Sequence, residues 1–338
     1  MTPRIPWLRV ALLGASFDFC LAAAAAEPKP GLLLVVNKGD HSLSVVDASL
    51  GRQVAAIPED AVTGHEVAVS PDGRTAFVPI YGNVGVGMEG TDGRLVRVID
   101  LASRRVSGTI DFGHGVRPHR PVFNRADGML YVTTELDGTV SVIDPASLRI
   151  VGSIPTGGIQ SHMLAITRDG RRGYTANVKS GSVSVLDLPG RRLLAVIPVA
   201  TVVQRIALSA DDRTAFTADQ TKLRLVAIDT ASNAVSASIP LPAVGFGITP
   251  TPDGRWLLVT LPGINRVAVV DLAAMRVVRS IDVPAAPQEI LVRPDGRLAY
   301  VSCDKSRQVA VIDLQSWALA APIAVGASDD GLAWVPGG

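Results

Sequence analysis

The sequence predicts an all-β fold, a seven-bladed β-propeller with four antiparallel strands in each blade. Three observations carry that reading. First, an apolar run closed by aspartate recurs seven times, at Asp47, Asp100, Asp144, Asp187, Asp229, Asp271 and Asp313, in steps of 53, 44, 43, 42, 42 and 42 residues. A fixed period in the forties with several short strands per unit is the signature of a propeller. Second, a tight Asp-Gly turn keeps the same beat at Asp72-Gly73, Asp127-Gly128, Asp169-Gly170, Asp253-Gly254 and Asp295-Gly296, with Asp211-Asp212 replacing it once. Third, apolar residues make up 47% of the 338 and charged residues 19%, a balance that suits sheets buried on both faces.

The chain opens on a targeting segment. Arg4 and Arg9 give a basic start, Val10 to Ala26 is mostly apolar despite Asp18, and Ala24-Ala25-Ala26 before Glu27 fits a small-residue cleavage site. We therefore expect a signal peptide over 1–26, one propeller domain over 27–338, and a periplasmic or secreted product. The apolar stretch falls short of the ~20 residues a membrane span needs, and Phe19 before Cys20 is not the small residue of a lipoprotein site. Cleavage would leave Cys303 as the single cysteine, so no internal disulfide is expected. Its apolar strand context reads as a buried, inert thiol. A net charge of +1 provides no field for duplex nucleic acid or an anionic membrane, and a monomer is expected.

The last full unit shows the blade. Gln288 to Arg293 reads as the inner strand, Pro294 to Arg297 as a tight turn, and Leu298 to Ser302 as the second strand. A polar loop over Asp304 to Arg307 leads to a third strand, Gln308 to Ile312, and a fourth, Leu319 to Val325. Gly331 to Val335 then reads as the inner strand of a blade whose remaining strands begin at Leu32 to Val36. Both chain ends share that blade, which closes the ring and leaves no free edge. The aspartate ending each third strand recurs too often to be catalytic and reads as turn chemistry.

In such a ring the first strand of each blade lines the central channel. Loops entering that strand share a face with those joining strands two and three, and the Asp-Gly turns lie on the other. Of five histidines, His65, His119 and His162 all begin inner strands, in GHEVAV, PHRPVF and SHMLAI. The same column holds Gln204, Phe246, Gln288 and Asp330 in the other blades. His119 stands one residue further from its turn aspartate than His65 and His162 do, and a one-residue slip would exchange it for Arg120. Three imidazoles at one mouth suggest a divalent metal such as Zn²⁺, Cu²⁺ or Fe²⁺ with an open position. The same histidines also suit metal-free ligand or acid–base roles, or hydrogen bonds to carbonyls. Glu66 and Arg120 join them as expected ligand contacts.

The long first step comes from Tyr81 to Gly93, a stretch with five glycines expected to form a mobile loop. Tyr81, Met88, Glu89 and Asp92 on it would reach a ligand. Lys38, Lys179, Lys222, Arg266, Lys305 and Arg307 read as a solvated rim, since the 4% aromatic content supplies no stacking platform for single strands.

The segments Val35 to Asp47, Leu130 to Asp144 and Tyr174 to Asp187 resemble the YVTN repeat, a unit of roughly Tyr-Val-Thr-Asn, a polar loop and Val-x-Val-Ile-Asp. The likeness spans nearly all of 27–338. It implies a propeller and leaves function open, because such propellers serve as surface-layer modules, enzyme subunits and enzymes. A second stretch, Gly113 to Asp144, is similar to lactonase-type propellers, which include 6-phosphogluconolactonase-like and carboxymuconate-cyclising enzymes. These carry an Arg-His pair before the inner strand and Glu-Leu after the second. Here Arg117 and His119, with Pro118 between them, match the pair, and Glu135-Leu136 matches the second motif. The resemblance implies Arg117 as a carboxylate binder, His119 as general base, and Glu135 as its orienter or as acid. The expected function is an exported propeller whose histidine-lined funnel binds a small ligand, lactonase- or lyase-like if it turns over. The alternative is a non-catalytic binding or scaffold propeller that meets a partner protein, such as an accessory subunit of a periplasmic oxidoreductase.

Overall fold

A computed structural model describes residues 1–2 and 31–337. Apart from its first two residues, the expected signal segment lies outside the described residues. Seven four-stranded antiparallel sheets form a ring, a seven-bladed propeller. Blade 4 is representative, with strands Ser161–Ile166, Arg172–Asn177, Ser182–Asp187 and Arg192–Pro198 in that order from channel to rim. Among the described residues no helix is long and apolar enough to cross a membrane.

Burial explains why these runs become strands. The middle strands are covered on both faces, as in Leu130–Thr134 and Ser182–Asp187. The outermost strands alternate between covered and exposed positions, as in Arg105–Asp111. Apolar clusters form between neighbouring blades. Leu258, Val267 and Val269 of one blade pack with Ile290, Ala299, Val301 and Cys303 of the next. Cys303 is buried there, and burial with Asp329 nearby pushes its thiol up to about 12, consistent with a packing role.

The repeat's turn signals do what their chemistry predicts. Gly73, Gly128, Gly170, Gly254 and Gly296 all adopt positive φ, and Asp212 takes the same left-handed place with φ 61°. Each strand-closing aspartate accepts a hydrogen bond from a backbone N–H two or three residues on, as Asp47 does from Ser49 and Asp313 from Ser316.

Ring closure places Asp329–Val335 as the innermost strand beside Leu32–Asn37, with Leu34 opposite Ala333. The Asp329 carboxylate accepts the Cys303 N–H of blade 7 at 2.6 Å, which ties the closing strand to its neighbour. One boundary differs from expectation. The fourth strand of blade 7 is only Ile323–Ala324, not Leu319 to Val325. Pro322 lacks a backbone donor, so Leu319 makes only an isolated bridge to Ile312 before the ladder stops.

Candidate functional site

The inner strands share one irregularity that builds the site. In blade 3, Pro118 faces Thr134 and Pro121 faces Val132, so the inner strand carries one extra residue. The same surplus occurs at Ser161–Met163, at Pro287–Ile290 and on the closing strand beside Val35–Asn37. A β-bulge of this kind re-aims side chains. Here it turns two consecutive residues toward the axis. Whether His119 or Arg120 faces the channel thus resolves to both. The displaced N–H groups are taken by hydroxyls of the second strand: Arg120 N–H by Thr133 Oγ1 at 2.9 Å, and Glu289 N–H by Ser302 Oγ at 3.0 Å. Thr133 Oγ1 in turn donates to the His162 carbonyl at 2.8 Å, joining blade 3 to blade 4.

The first residue of each bulge forms an outer layer at the channel mouth. His65, His119 and His162 meet there, with Tyr81 among them. The His119 and His162 rings stack with centroids 3.6 Å apart, and His65 lies edge-on to His119 at 5.6 Å. Tyr81 sits 4.7 Å from His65 and 5.4 Å from His119. Glu135 closes the cluster from below. Its Oε2 accepts the Tyr81 hydroxyl at 2.8 Å and lies 3.0 Å from His162 Nδ1. Oriented so, His162 donates from Nδ1, and its Nε2 accepts from the Gln204 amide N–H at 3.4 Å.

Burial disfavours charge on two of the three imidazoles. Burial pulls His65 down to about 3 against the opposing influence of Asp330. Burial, then the imidazoles of His162 and His65, hold His119 well below the usual histidine range. Its Nδ1 has no hydrogen-bond partner. Burial and the Glu135 charge push the Tyr81 phenol above its ordinary value.

Two residues of the lactonase likeness find specific partners. Glu135 contacts His162 and not His119, because the residue just after the second strand of blade 3 abuts the inner strand of blade 4. Arg117 is held at the edge of the cluster, with Nη1 4.0 Å from Glu135 Oε1 and its guanidinium 5.6 Å from the Tyr81 ring centroid. Its φ is 48°, its Nε donates to Asp92 at 2.6 Å, and an Nη donates to the Met88 carbonyl at 2.6 Å. It staples down the loop that precedes Asp92. That loop also departs from expectation. Tyr81 belongs to the strand Thr75–Gly82 and is fully buried, and the hairpin's other strand begins at Asp92, so only 83–91 remain as loop. Glu89 is exposed on it.

The second residue of each bulge forms an inner layer that blocks the channel. Glu66 Oε1 receives Arg205 Nη1 at 2.6 Å, and its Oε2 receives Arg120 Nη1. Glu289 bridges the same two guanidiniums, with 2.7 Å to Arg205 and 3.5 Å to Arg120. Two carboxylates and two arginines from blades 2, 3, 5 and 7 thus alternate in a square across the axis. Burial and the neighbouring Glu66 push Glu289 upward against the pull of the guanidiniums. Gly331 and Gly247 occupy this layer where backbones close in. A Cβ on Gly331 would lie 2.6 Å from Glu66 Cα, and one on Gly247 would strike the Gln288 carbonyl. Glu66 and Arg120 are therefore brought together, though with each other more than with open solvent.

Arg205 and Glu289 were missed in the sequence as site residues. The signal was present in the column after the histidines, where Glu66, Arg120, Arg205 and Glu289 put charge into otherwise apolar strands. Lys38 is also misplaced on a solvated rim. It lies 3.1 Å from Asp330 and 3.4 Å from Asp304 at the mouth. Burial opposes its charge, but the two carboxylates outweigh burial and hold it above the ordinary lysine value.

The expected metal set of His65, His119 and His162 is close in space, yet His119 stacks on His162 and His65 lies edge-on to His119. Among the described residues no group of three His, Cys, Asp or Glu side chains is arranged to hold a metal ion. A tri-histidine site would require His119 to rotate off His162.

Among solved structures, the chain is similar to hydrazine synthase from Kuenenia stuttgartiensis, with a TM-score of 0.72 and 21% identity over 83% of this chain and 92% of that chain. It is also similar to the dihydro-heme d1 dehydrogenase NirN in complex with DHE, with a TM-score of 0.67 and 16% identity over 89% of this chain and 74% of that one. No family model and no curated protein matches the chain. At these identities the likeness establishes the propeller fold that the three proteins share.

Proposed function

We propose that this chain is an exported propeller that binds a small ligand at the blade 2–4 side of its mouth and performs acid–base chemistry on it. Hydrolysis of a lactone or similar cyclic ester is the reaction class that suits the residues. One observation carries the reading: Glu135 Oε2 engages Tyr81 and His162 Nδ1 together, leaving His162 Nε2 as an oriented acceptor. A carboxylate behind an imidazole fixes its tautomer and stabilises the imidazolium that forms when it takes a proton. In the proposed step His162 Nε2 removes a proton from water, and the oxygen adds to the ester carbonyl. The ring C–O bond then breaks, and the proton returns from His162 to the leaving alkoxide. Partly buried His65, Gln204, Phe246 and Gln288 line the approach. The test is hydrolysis of a panel of five- and six-membered lactones by the wild type, His162→Gln and Glu135→Gln, with thermal shifts recorded on the same panel. Turnover lost in both variants supports the reading. Lactone hydrolysis unchanged in both would overturn it.

A second reading is a non-catalytic subunit of a larger assembly. It is favoured by the similarity to hydrazine synthase, 92% of whose matched chain is covered. Saturable binding of a ligand or partner without turnover by the wild type would select it.

A further inference from the structure

A repeated fit seals the outer edges of the blade junctions, and one junction departs from it. In five blades the middle of the outermost strand carries a small residue. Ala55, Gly108, Gly152, Ala195 and Ala237 stand opposite Val45, Val98, Val142, Val185 and Ala227. The left-handed residue closing the next blade's outer turn comes down beside that place. A Cβ on Gly108 would lie 2.8 Å from Leu148, and one on Gly152 would lie 2.5 Å from Arg191. In blade 6 the small residue becomes Arg279, opposite Val269. The left-handed residue that meets it, at φ 61°, is Trp317, the bulkiest side chain in a column that holds Gly51, Asn233 and Met275 elsewhere. A third column changes at the same junction. Opposite the strand-closing aspartate, Leu32, Thr75, Arg172, Thr214 and Leu298 give way to Trp256.

The three departures meet in space. Trp256 and Trp317 pack edge to face, with ring centroids 5.7 Å apart and an interplanar angle of 87°. The Arg255 guanidinium lies over the Trp256 ring at 4.4 Å, and that of Arg279 lies over Trp317 at 5.6 Å. Together they border a groove of about 460 Å³ between blades 6 and 7, on the face that carries the Asp-Gly turns. Val269, Val278 and Leu314 complete its walls, Gln315 supplies its remaining polar side chain, and no carboxylate lines it. Among the described residues neither guanidinium takes part in a hydrogen bond or an ion pair, and Arg255 spends only its backbone N–H, on Asp253. Stacking on an indole holds a guanidinium in place and leaves its in-plane N–H donors open. The square at the axis is different, because its arginines already face carboxylates.

We propose that this groove is a second binding site, specific for an acidic glycan built of uronate residues. A uronate carboxylate is a planar acceptor that matches the guanidinium donors of Arg255 and Arg279. The C–H face of a pyranose suits the negative face of an indole, and Trp317, only loosely covered by Arg279, offers that face. Ring hydroxyls both donate and accept, as the Gln315 amide does. The volume is that of a small-ligand site. A single nucleic-acid strand fits less well, since successive bases need aromatic faces that lie parallel, and these indoles are perpendicular. The groove lies on the opposite face from the histidine mouth, so its existence does not depend on chemistry at His162.

The experiment is calorimetric titration of the full chain with tetragalacturonate, with the neutral cellotetraose, and with a short oligothymidylate. The wild type is compared with Arg279→Ala and Trp317→Asn. Each substitution restores a residue that the repeat itself uses at that place, as at Ala195 and Asn233, so the fold should be kept. Arg276→Ala, on the same strand but outside the groove, controls for net charge. The expected result is saturable tetragalacturonate binding by the wild type and Arg276→Ala, weakened about tenfold or more in Arg279→Ala and Trp317→Asn. Cellotetraose and the oligothymidylate should bind at least about tenfold more weakly than tetragalacturonate. Absence of saturable tetragalacturonate binding, equal binding of cellotetraose, or tighter binding of the oligothymidylate would each overturn the proposal. So would unchanged affinity in folded Arg279→Ala and Trp317→Asn, or an equal loss in Arg276→Ala. Should one groove variant fail to fold, the other and the ligand series still decide.

Discussion

His119 and His162 stack face to face at 3.6 Å, yet the carboxylate of Glu135 engages only the second of them, and His119 Nδ1 is left without a partner. The asymmetry follows from how a propeller assembles. The residue that ends the second strand of one blade meets the inner strand of the next, so functional pairs form across blade boundaries. Glu135 of blade 3 serves His162 of blade 4, and Tyr81 of blade 2 lies against His119 of blade 3. Matching a histidine with the carboxylate of its own repeat therefore selects the wrong partner.

That pairing yields the first prediction. Glu135→Gln keeps the side chain's shape but replaces one acceptor oxygen with a donor, so the His162 tautomer is no longer fixed. Lactone turnover should fall roughly 10²-fold or more, the usual scale for an acid–base group, while the melting temperature changes little. Tyr81→Phe removes one hydrogen bond but leaves the Glu135–His162 contact, and kcat/KM should fall by less than about tenfold, near 1 kcal/mol. Steady-state kinetics on both variants checks the order. A larger loss in Tyr81→Phe than in Glu135→Gln would point to Tyr81 as the group that handles the proton.

The square of Glu66, Arg120, Arg205 and Glu289 predicts strong non-additivity. Arg205→Met leaves two buried carboxylates short of a partner, and breaking a buried pair from one side costs about 3–5 kcal/mol. Combining it with Glu66→Met removes one orphaned carboxylate and leaves Arg120 paired with Glu289, and should recover part of that loss. Denaturant melts of the single and combined variants give the coupling directly. Additive losses would show that the contacts contribute little to one another.

Much of the architecture was legible because the repeat is written in residues with strict local duties. Asp47 and its six equivalents accept turn N–H groups, and the Asp-Gly pairs supply positive φ, so the period survives in a single sequence. The three histidines were legible for the same reason, as a column seven residues before those turns for His65 and His162 and eight for His119. What stayed hidden was set by the bulge. It adds no distinctive residue type, yet it turns His119 and Arg120 inward together. Partners such as Glu66 and Arg205, 139 positions apart, meet only when the ring closes. The partners of Arg117 were hidden in the same way, since Asp92, the Met88 carbonyl and Glu135 meet its guanidinium only in the folded ring.

Glu59 predicts a pH effect away from the mouth. Its side chain is buried at the junction of blades 1 and 2, with Oε2 accepting the Gly64 N–H at 3.0 Å and Oε1 without a partner. Burial raises its pKa from an ordinary 4.5 to about 7, the Gly64 hydrogen bond opposing the shift. The folded value exceeds the unfolded one, so the folded chain binds more protons between them. Glu59's contribution is therefore fully present below pH 4.5 and is lost as pH rises through about 7. Glu59→Gln, which stays neutral, should melt close to wild type at pH 4.5 and a few degrees above it at pH 8, since about 1 kcal/mol moves a large domain by roughly 2–4 °C. Equal differences at the two pH values would remove Glu59 from the titration.

Ring closure supplies the last prediction. The strand Asp329–Val335 is covered along nearly its whole length, and it is the one strand of blade 1 that the chain's other end must wait for. Removing residues 331–338 exposes the inner edge of Leu32–Asn37 and uncovers Leu33 and Val35, whose cluster includes Leu332 and Trp334. Burial of each such apolar side chain is worth about 1.5–3 kcal/mol, so the truncated chain should lose tens of degrees of melting temperature or fail to fold. A subtler variant separates packing from strand loss. Gly331→Ala keeps every ladder partner but drives a methyl to 2.6 Å from Glu66 Cα and the His65 carbonyl. Overpacking of this kind costs about 1–3 kcal/mol, and because the clash falls between the histidine layer and the square, it should disturb ligand affinity at the mouth as well as stability. Calorimetric melting and ligand titration of the same sample test both halves. A Gly331→Ala protein with wild-type melting temperature would mean that the closing strand yields to its neighbour, and that the ring is sprung loosely enough for the two ends to shift past one another.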